Sequence, residues 1–97
     1  MRDVHLSTEA LDDLDSIAAY IAKNNQHAAA RVVDRVEAMA QQLAFMPVGR
    51  RGRVAGTFEM VVTGLPYILC YTLSDESLTV VRVIHGARNW GEGEWPD

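Results

Sequence analysis

Thr57-Phe58-Glu59-Met60-Val61-Val62, Tyr67-Ile68-Leu69-Cys70-Tyr71-Thr72-Leu73 and Leu78-Thr79-Val80-Val81-Arg82-Val83-Ile84-His85 decide the fold. The three runs are rich in β-branched and aromatic residues. Gly64-Leu65-Pro66 separates the first two and Ser74–Ser77 the last two. Strand-like runs with turn residues between them predict a three-stranded antiparallel meander. A two-residue loop at Asp75-Glu76 sets Leu73 opposite Leu78, Tyr71 opposite Val80 and Leu69 opposite Arg82. That register gives two faces. One holds Phe58, Met60, Val62, Tyr67, Leu69, Tyr71, Leu73, Leu78, Val80, Arg82 and Ile84. It is the bulkier and is the one to bury. The other holds Thr57, Glu59, Val61, Ile68, Cys70, Thr72, Thr79, Val81, Val83 and His85, and one residue of slip exchanges the two.

Upstream, the period changes from two to 3.6. Ala10, Leu11, Leu14, Ile17, Ala18 and Ile21 form one stripe, and Ala29, Val32, Val33, Val36, Ala40 and Leu43 form another. Ser7 or Thr8 can cap the first helix and Asn25 the second. Pro47 forbids further helix. The short connection at Lys23-Asn24-Asn25 folds the pair into an antiparallel hairpin. Val4-His5-Leu6, ahead of the helices, alternates like a short strand. Counting chain reversals, this strand would run antiparallel to either edge of the meander. The expected architecture is α+β: a short N-terminal strand, a helical hairpin and a three-stranded antiparallel meander. Residues 1–91 make one domain, followed by an acidic tail over 92–97.

Ninety-seven residues with 48% hydrophobic and 23% charged side chains describe one globular domain. The net charge of −4 argues against a general nucleic-acid binder. Its distribution is uneven: Arg50, Arg51 and Arg53 cluster around Gly52, a local basic patch on an acidic chain. A single cysteine, Cys70, allows no internal disulfide, and no Cys/His spacing suits a metal. No apolar signal core or membrane span is visible, so a cytoplasmic location is expected.

The residues able to carry chemistry are Arg50, Arg51, Arg53, Glu59, His85 and Arg88. Glu59 and His85 share a face in the register above. A carboxylate and an imidazole beside guanidiniums could move the protons of RNA cleavage. The plainer reading makes Glu59 a solvated strand residue and His85 a strand-end group. Arg82 falls on the helix side and is expected to pair with Glu37 or Asp34. Tyr67 and Tyr71 serve as core aromatics and Cys70 as a small apolar residue. Trp90 folds back as an anchor and Trp95 belongs to the tail. Val61, Val81 and Val83 leave an open aliphatic face suited to docking another chain. The arginines, with His85 and Arg88, form a positive surface for a target.

Several segments together resemble the RelE/ParE superfamily of toxins from type II toxin–antitoxin modules, or plasmid stabilisation proteins. They are Ala10-Leu11-Asp12-Asp13-Leu14-Asp15-Ser16-Ile17 with Tyr20-Ile21-Ala22, and Pro47-Val48-Gly49-Arg50-Arg51-Gly52-Arg53. Gly56–Val62, Pro66–Tyr71 and Val81–Trp90 complete the set. Many relatives carry arginine where this chain has Phe58, so any role of that arginine is absent here. The strand motifs and Tyr20-Ile21-Ala22 look closer to the ParE-like branch. That resemblance implies a cofactor-free inhibitor of DNA gyrase, neutralised by a cognate antitoxin, for which the open face at Val61, Val81 and Val83 is the expected docking site. It implies operator DNA contact only through the antitoxin, and a homodimer or a toxin–antitoxin heterotetramer. The RelE-like alternative is a ribosome-dependent mRNA endoribonuclease using Glu59, His85 and Arg88. A third is a degenerate toxin that only binds its antitoxin.

Overall fold

The computed structural model describes residues 2–86. Trp90, Trp95, Arg88 and the acidic tail lie outside them. Strand β1 (Asp3–Leu6) leads into helices α1 (Thr8–Ala22) and α2 (Gln26–Phe45). Strands β2 (Arg50–Arg51), β3 (Phe58–Val61), β4 (Tyr67–Leu73) and β5 (Ser77–His85) follow. All five strands join one sheet in the order β1-β5-β4-β3-β2.

The helices start where the hydroxyl and amide side chains stand. Ser7 Oγ accepts from Ala10 N, and Asn25 Oδ1 accepts from Ala28 N. α2 stops at Phe45, two residues before Pro47. Both helices lay their apolar stripes on one side of the sheet. Leu14, Val36, Ala40 and Leu43 meet Leu69, Tyr71, Leu78, Val80 and Val83 in a single core. Leu11, expected in the stripe, is half exposed, and Met39 and Ala44 are buried instead.

The parallel pairing of β1 with β5 corrects the expected direction of the first strand. The cause is β2. Arg50 and Arg51 do not form a turn; they pair antiparallel with Glu59 and Phe58. That extra hairpin adds one reversal after the helices, and every later strand changes direction.

The register of the meander also departs from expectation, half way along. Leu73 faces Leu78 and Tyr71 faces Val80, as the loop at Asp75-Glu76 requires. Cys70 then faces Arg82 and Leu69 faces Val83, because a β-bulge inserts Val81 as an extra residue. Beyond it, every side chain of β5 changes sides. Val83 turns into the helix-packed core, where it is buried, and Arg82 and Ile84 turn to the far face with Cys70 and Ile68.

The bulge is held from the first helix. Ser7 N donates to Val80 O and Ser7 Oγ to Val81 O, both at 2.9 Å. Six residues on, Asp13 takes both ends of the Arg82 fork, at 2.8 and 2.9 Å, and the Val83 N–H at 2.9 Å. β1 stops pairing at Val80, so the carboxylate occupies the β5 edge that the strand leaves open. Arg82 thus pairs with Asp13, not with Glu37 or Asp34, since the bulge turns it away from α2.

Replacing Asp13 by alanine removes two hydrogen bonds from a partly buried guanidinium and the acceptor of the Val83 N–H. The expected loss is about 2–3 kcal/mol of stability by urea denaturation. A loss within about 0.5 kcal/mol, the range of a surface substitution, would remove Asp13 from its place at the bulge.

Candidate functional site

The far face of the sheet carries a row of polar groups at one level. Arg50 of β2 is opposite Glu59 of β3, Glu59 opposite Cys70 of β4, and Cys70 opposite Arg82 of β5. Asp13 closes the row at one end. Side chains on directly paired residues share a face and lie about 5 Å apart.

Glu59 is the buried centre of the basic end. It is 3% exposed, although the strand position would suit a solvated side chain. Its Oε2 accepts from Arg53 N at 2.9 Å and from Arg53 Nε at 3.2 Å. Arg50 Nη2 lies 3.8 Å from Oε1. A buried carboxylate is costly unless paired and hydrogen-bonded, and here it has both. The loop it seats is closed by its own bonds: Gly52 N to Thr57 O, and Thr57 Oγ1 to Val54 O. Val54 and Thr57 of this loop, with Ser7, Glu9, Val81 and Arg82, line an open depression of about 420 Å³.

Tyr71 positions the start of β2. Its hydroxyl accepts from Gly49 N at 2.9 Å, and its ring stacks on Phe58. A Cβ at position 49 would collide with that hydroxyl, so only glycine lets the chain pass so close. Burial raises the Tyr71 phenol above its ordinary value, partly offset by the Gly49 hydrogen bond.

Cys70, fully buried, sits between the two charged clusters. Burial pushes its thiol up to about 12, and the neighbouring Glu59 carboxylate adds to this. It packs with Ile68, Ile84 and Val81 as an apolar residue.

Among the described residues, the basic groups do not form one continuous surface. Arg50 and Arg53 converge on Glu59, on the far face. Arg51, exposed, takes the opposite side of the strand, in register with Phe58 and Tyr71. His85 is opposite Tyr67 and packs edge-on against its ring, with centroids 5.5 Å apart. Tyr67 belongs to the helix-side core. Glu59 and His85 are therefore on opposite faces, not on the same one; the bulge at Val81 moved His85 across. The backbone of His85 is three strand spacings, about 14 Å, from β2, and about 10 Å further along than Arg50. Val61 is half exposed and Val81 half-buried on the far face, whereas Val83 is in the core. Among the described residues, no three His, Cys, Asp or Glu side chains gather as a metal site.

The sequence places Ser7 as a helix cap and Asp13 in the first helix, but the reach of both across to β5 was missed. A signal was present: Asp13 flanks the stripe formed by Ala10, Leu14 and Ile17, where a carboxylate reaches whatever the stripe packs against.

Comparison with known proteins gives consistent results. The pattern described as "ParE toxin of type II toxin-antitoxin system, parDE" matches residues 4–90. The candidate toxin Y4kP of Sinorhizobium fredii is 39% identical over 88 residues, covering 90% of this chain and 91% of that one. Toxin RelE2 of Caulobacter vibrioides is 36% identical over 89 residues, covering 91% and 99%. A solved structure titled as a chromosomal ParDE system from P. aeruginosa has the same fold, with a TM-score of 0.78 at 18% identity. It covers 88% of this chain and 96% of its own.

Ionising Cys70 costs the folded state, so its contribution is intact below its ordinary value of 9.0 and is lost as pH climbs toward about 12. The urea midpoint should decline over that range, and less steeply in Cys70→Ala. Iodoacetamide at pH 8 should leave the native thiol unmodified; rapid alkylation of folded protein would contradict the burial.

Proposed function

The chain belongs to the ParE toxin family of type II toxin–antitoxin modules, and from that membership we propose that it arrests growth by binding and inhibiting DNA gyrase. A type II toxin has a cognate antitoxin, and here the antitoxin holds the toxin inactive and carries any operator contact. The toxin acts in the cytoplasm, where gyrase works. No helix among the described residues is long and apolar enough to cross a membrane.

The observation that carries the gyrase reading is the separation of Glu59 from His85. A general acid and base must each come within about 3 Å of the protons they move. These two occupy opposite faces, and Glu59 is already engaged by Arg53 and Arg50. The net charge of −4 points the same way, since a nuclease working among ribosomal phosphates gains from a positive balance. Binding to a protein needs no such pair: arginines suit carboxylates on a partner surface. The target surface is assigned to Arg50, Arg51 and Arg53, with His85 as an outlying contact and Arg88, outside the described residues, retained from the sequence. Val61 and Val81 remain available on the far face for the antitoxin, and Val83 leaves the set.

Two measurements test this. Purified toxin should inhibit gyrase supercoiling and leave ribosome-bound mRNA intact, and His85→Ala should weaken inhibition by no more than about tenfold, one lost contact. Ribosome-dependent cleavage that falls by about two to four orders of magnitude in His85→Ala, with supercoiling untouched by wild type, would establish the nuclease instead. For the antitoxin, Val61→Asp with Val81→Asp should weaken binding by about tenfold or more. Wild-type affinity in the folded double variant would place the antitoxin elsewhere.

A further inference from the structure

Arg50, Arg53 and Glu59 make an arrangement that surface basicity alone does not explain. Three arginines in four residues would repel one another and sample many orientations if all were solvated. Two of them instead share one carboxylate, and that carboxylate is buried. The two contacts are unequal. Arg53 is bonded through both its backbone N–H and its Nε, and its side chain is 23% exposed. Arg50 touches at 3.8 Å and is 70% exposed. Thus Arg53 is seated and Arg50 is tethered. One carboxylate faces two guanidiniums, so one positive charge of the pair is uncompensated and points outward.

The loop between them is preformed. Gly52 N–H to Thr57 O and Thr57 to Val54 O close it, and Gly56 supplies the one positive φ it needs, at 83° in open space. An ordered cationic pair avoids most of the ordering cost that a flexible loop would incur on binding.

We propose that Glu59 is the positioning residue of the target-binding edge, holding Arg50 and Arg53 side by side so that together they grip one carboxylate of a protein partner. The proposal rests on the reading that this basic segment touches the target. On engagement, Arg50 leaves its long contact with Glu59 for the incoming carboxylate, while Arg53 stays on Glu59 and lends its outer N–H groups. A carboxylate fits better than a run of phosphates, because an acidic molecule with two converging arginines offers a seat for one anion, not a track.

The test uses the full chain, recovered from its antitoxin complex, in wild type, Glu59→Gln, Arg50→Ala/Arg53→Ala and Gly56→Val forms. Gly56→Val strains the loop by its positive φ without touching the carboxylate, so it stands in where Glu59→Gln fails to fold. Two readouts are independent of the target's identity: tryptic cleavage after Arg53, located by mass spectrometry, and growth arrest at equal soluble expression. Antitoxin affinity checks the fold. The expected result is wild-type antitoxin binding with cleavage at Arg53 accelerated about tenfold or more in Glu59→Gln and Gly56→Val, as local opening grows easier. Growth arrest should weaken to the level of the double alanine variant, and adding Glu59→Gln to that variant should weaken it no further. Folded Glu59→Gln that is cleaved as slowly as wild type, or cleaved quickly but fully toxic, would overturn the proposal. A steep fall of target binding with salt, at the slope of several phosphate contacts, would overturn the single-carboxylate seat. If wild type arrests growth and spares gyrase, the gyrase reading fails and the cleavage and arrest readouts still judge Glu59.

Discussion

The junction of Asp13 with Arg82 and Val83 is the contact on which the arrangement of the far half of the sheet depends. An extra residue in a strand leaves backbone groups without ladder partners, and those groups must be satisfied for a bulge to persist. Here the partners come from one end of α1. Ser7 supplies them at Val80 and Val81, and Asp13 at the Val83 N–H, while the same carboxylate holds the Arg82 guanidinium. The bulge then decides which side chains reach the helices. Val83 enters the core, Arg82 joins the polar row, and His85 settles against Tyr67, away from Glu59.

Two carboxylates solve the same problem at the two ends of that row. Asp13 and Glu59 each accept from an arginine side chain and from a backbone N–H. Each accepts a backbone N–H just beyond the end of a paired segment, Val83 past the last residue paired with β1 and Arg53 past β2. Burying a carboxylate is unfavourable, and removing one partner of such a pair costs more than the pair itself contributes. Such a motif fixes geometry more than it adds stability. Between them Cys70 is sealed from solvent and keeps its proton, so the row has no free nucleophile at neutral pH. The face is thereby suited to presenting charge in a fixed place, the requirement of a binding surface.

Local patterns made much of this legible. The caps at Ser7 and Asn25, the end of α2 before Pro47, the span of β4 and the pairing of Leu73 with Leu78 follow from nearest neighbours and period. Two features did not. A two-residue strand of arginines has no apolar alternation to announce it, and its existence depends on Glu59 and Tyr71, in the two strands that follow. A bulge leaves no mark in a run such as Val80-Val81-Arg82-Val83, where either parity offers aliphatics to the core. Both misses moved site residues. The first turned Arg50 and Arg51 to opposite faces, and the second parted Glu59 from His85 and buried Val83. The resemblance to RelE/ParE toxins named the family from the residues alone, and the match over residues 4–90 bears it out. The choice of target was not written in those motifs, since the same scaffold serves both branches.

Amide hydrogen exchange of the toxin, free and mixed with purified gyrase, reads out whether the basic segment is the target-binding edge. Binding is expected, with new protection concentrated in the basic segment from Arg50 through Glu59. Protection confined to the His85 end of β5, with that segment exchanging as in the free toxin, would contradict it.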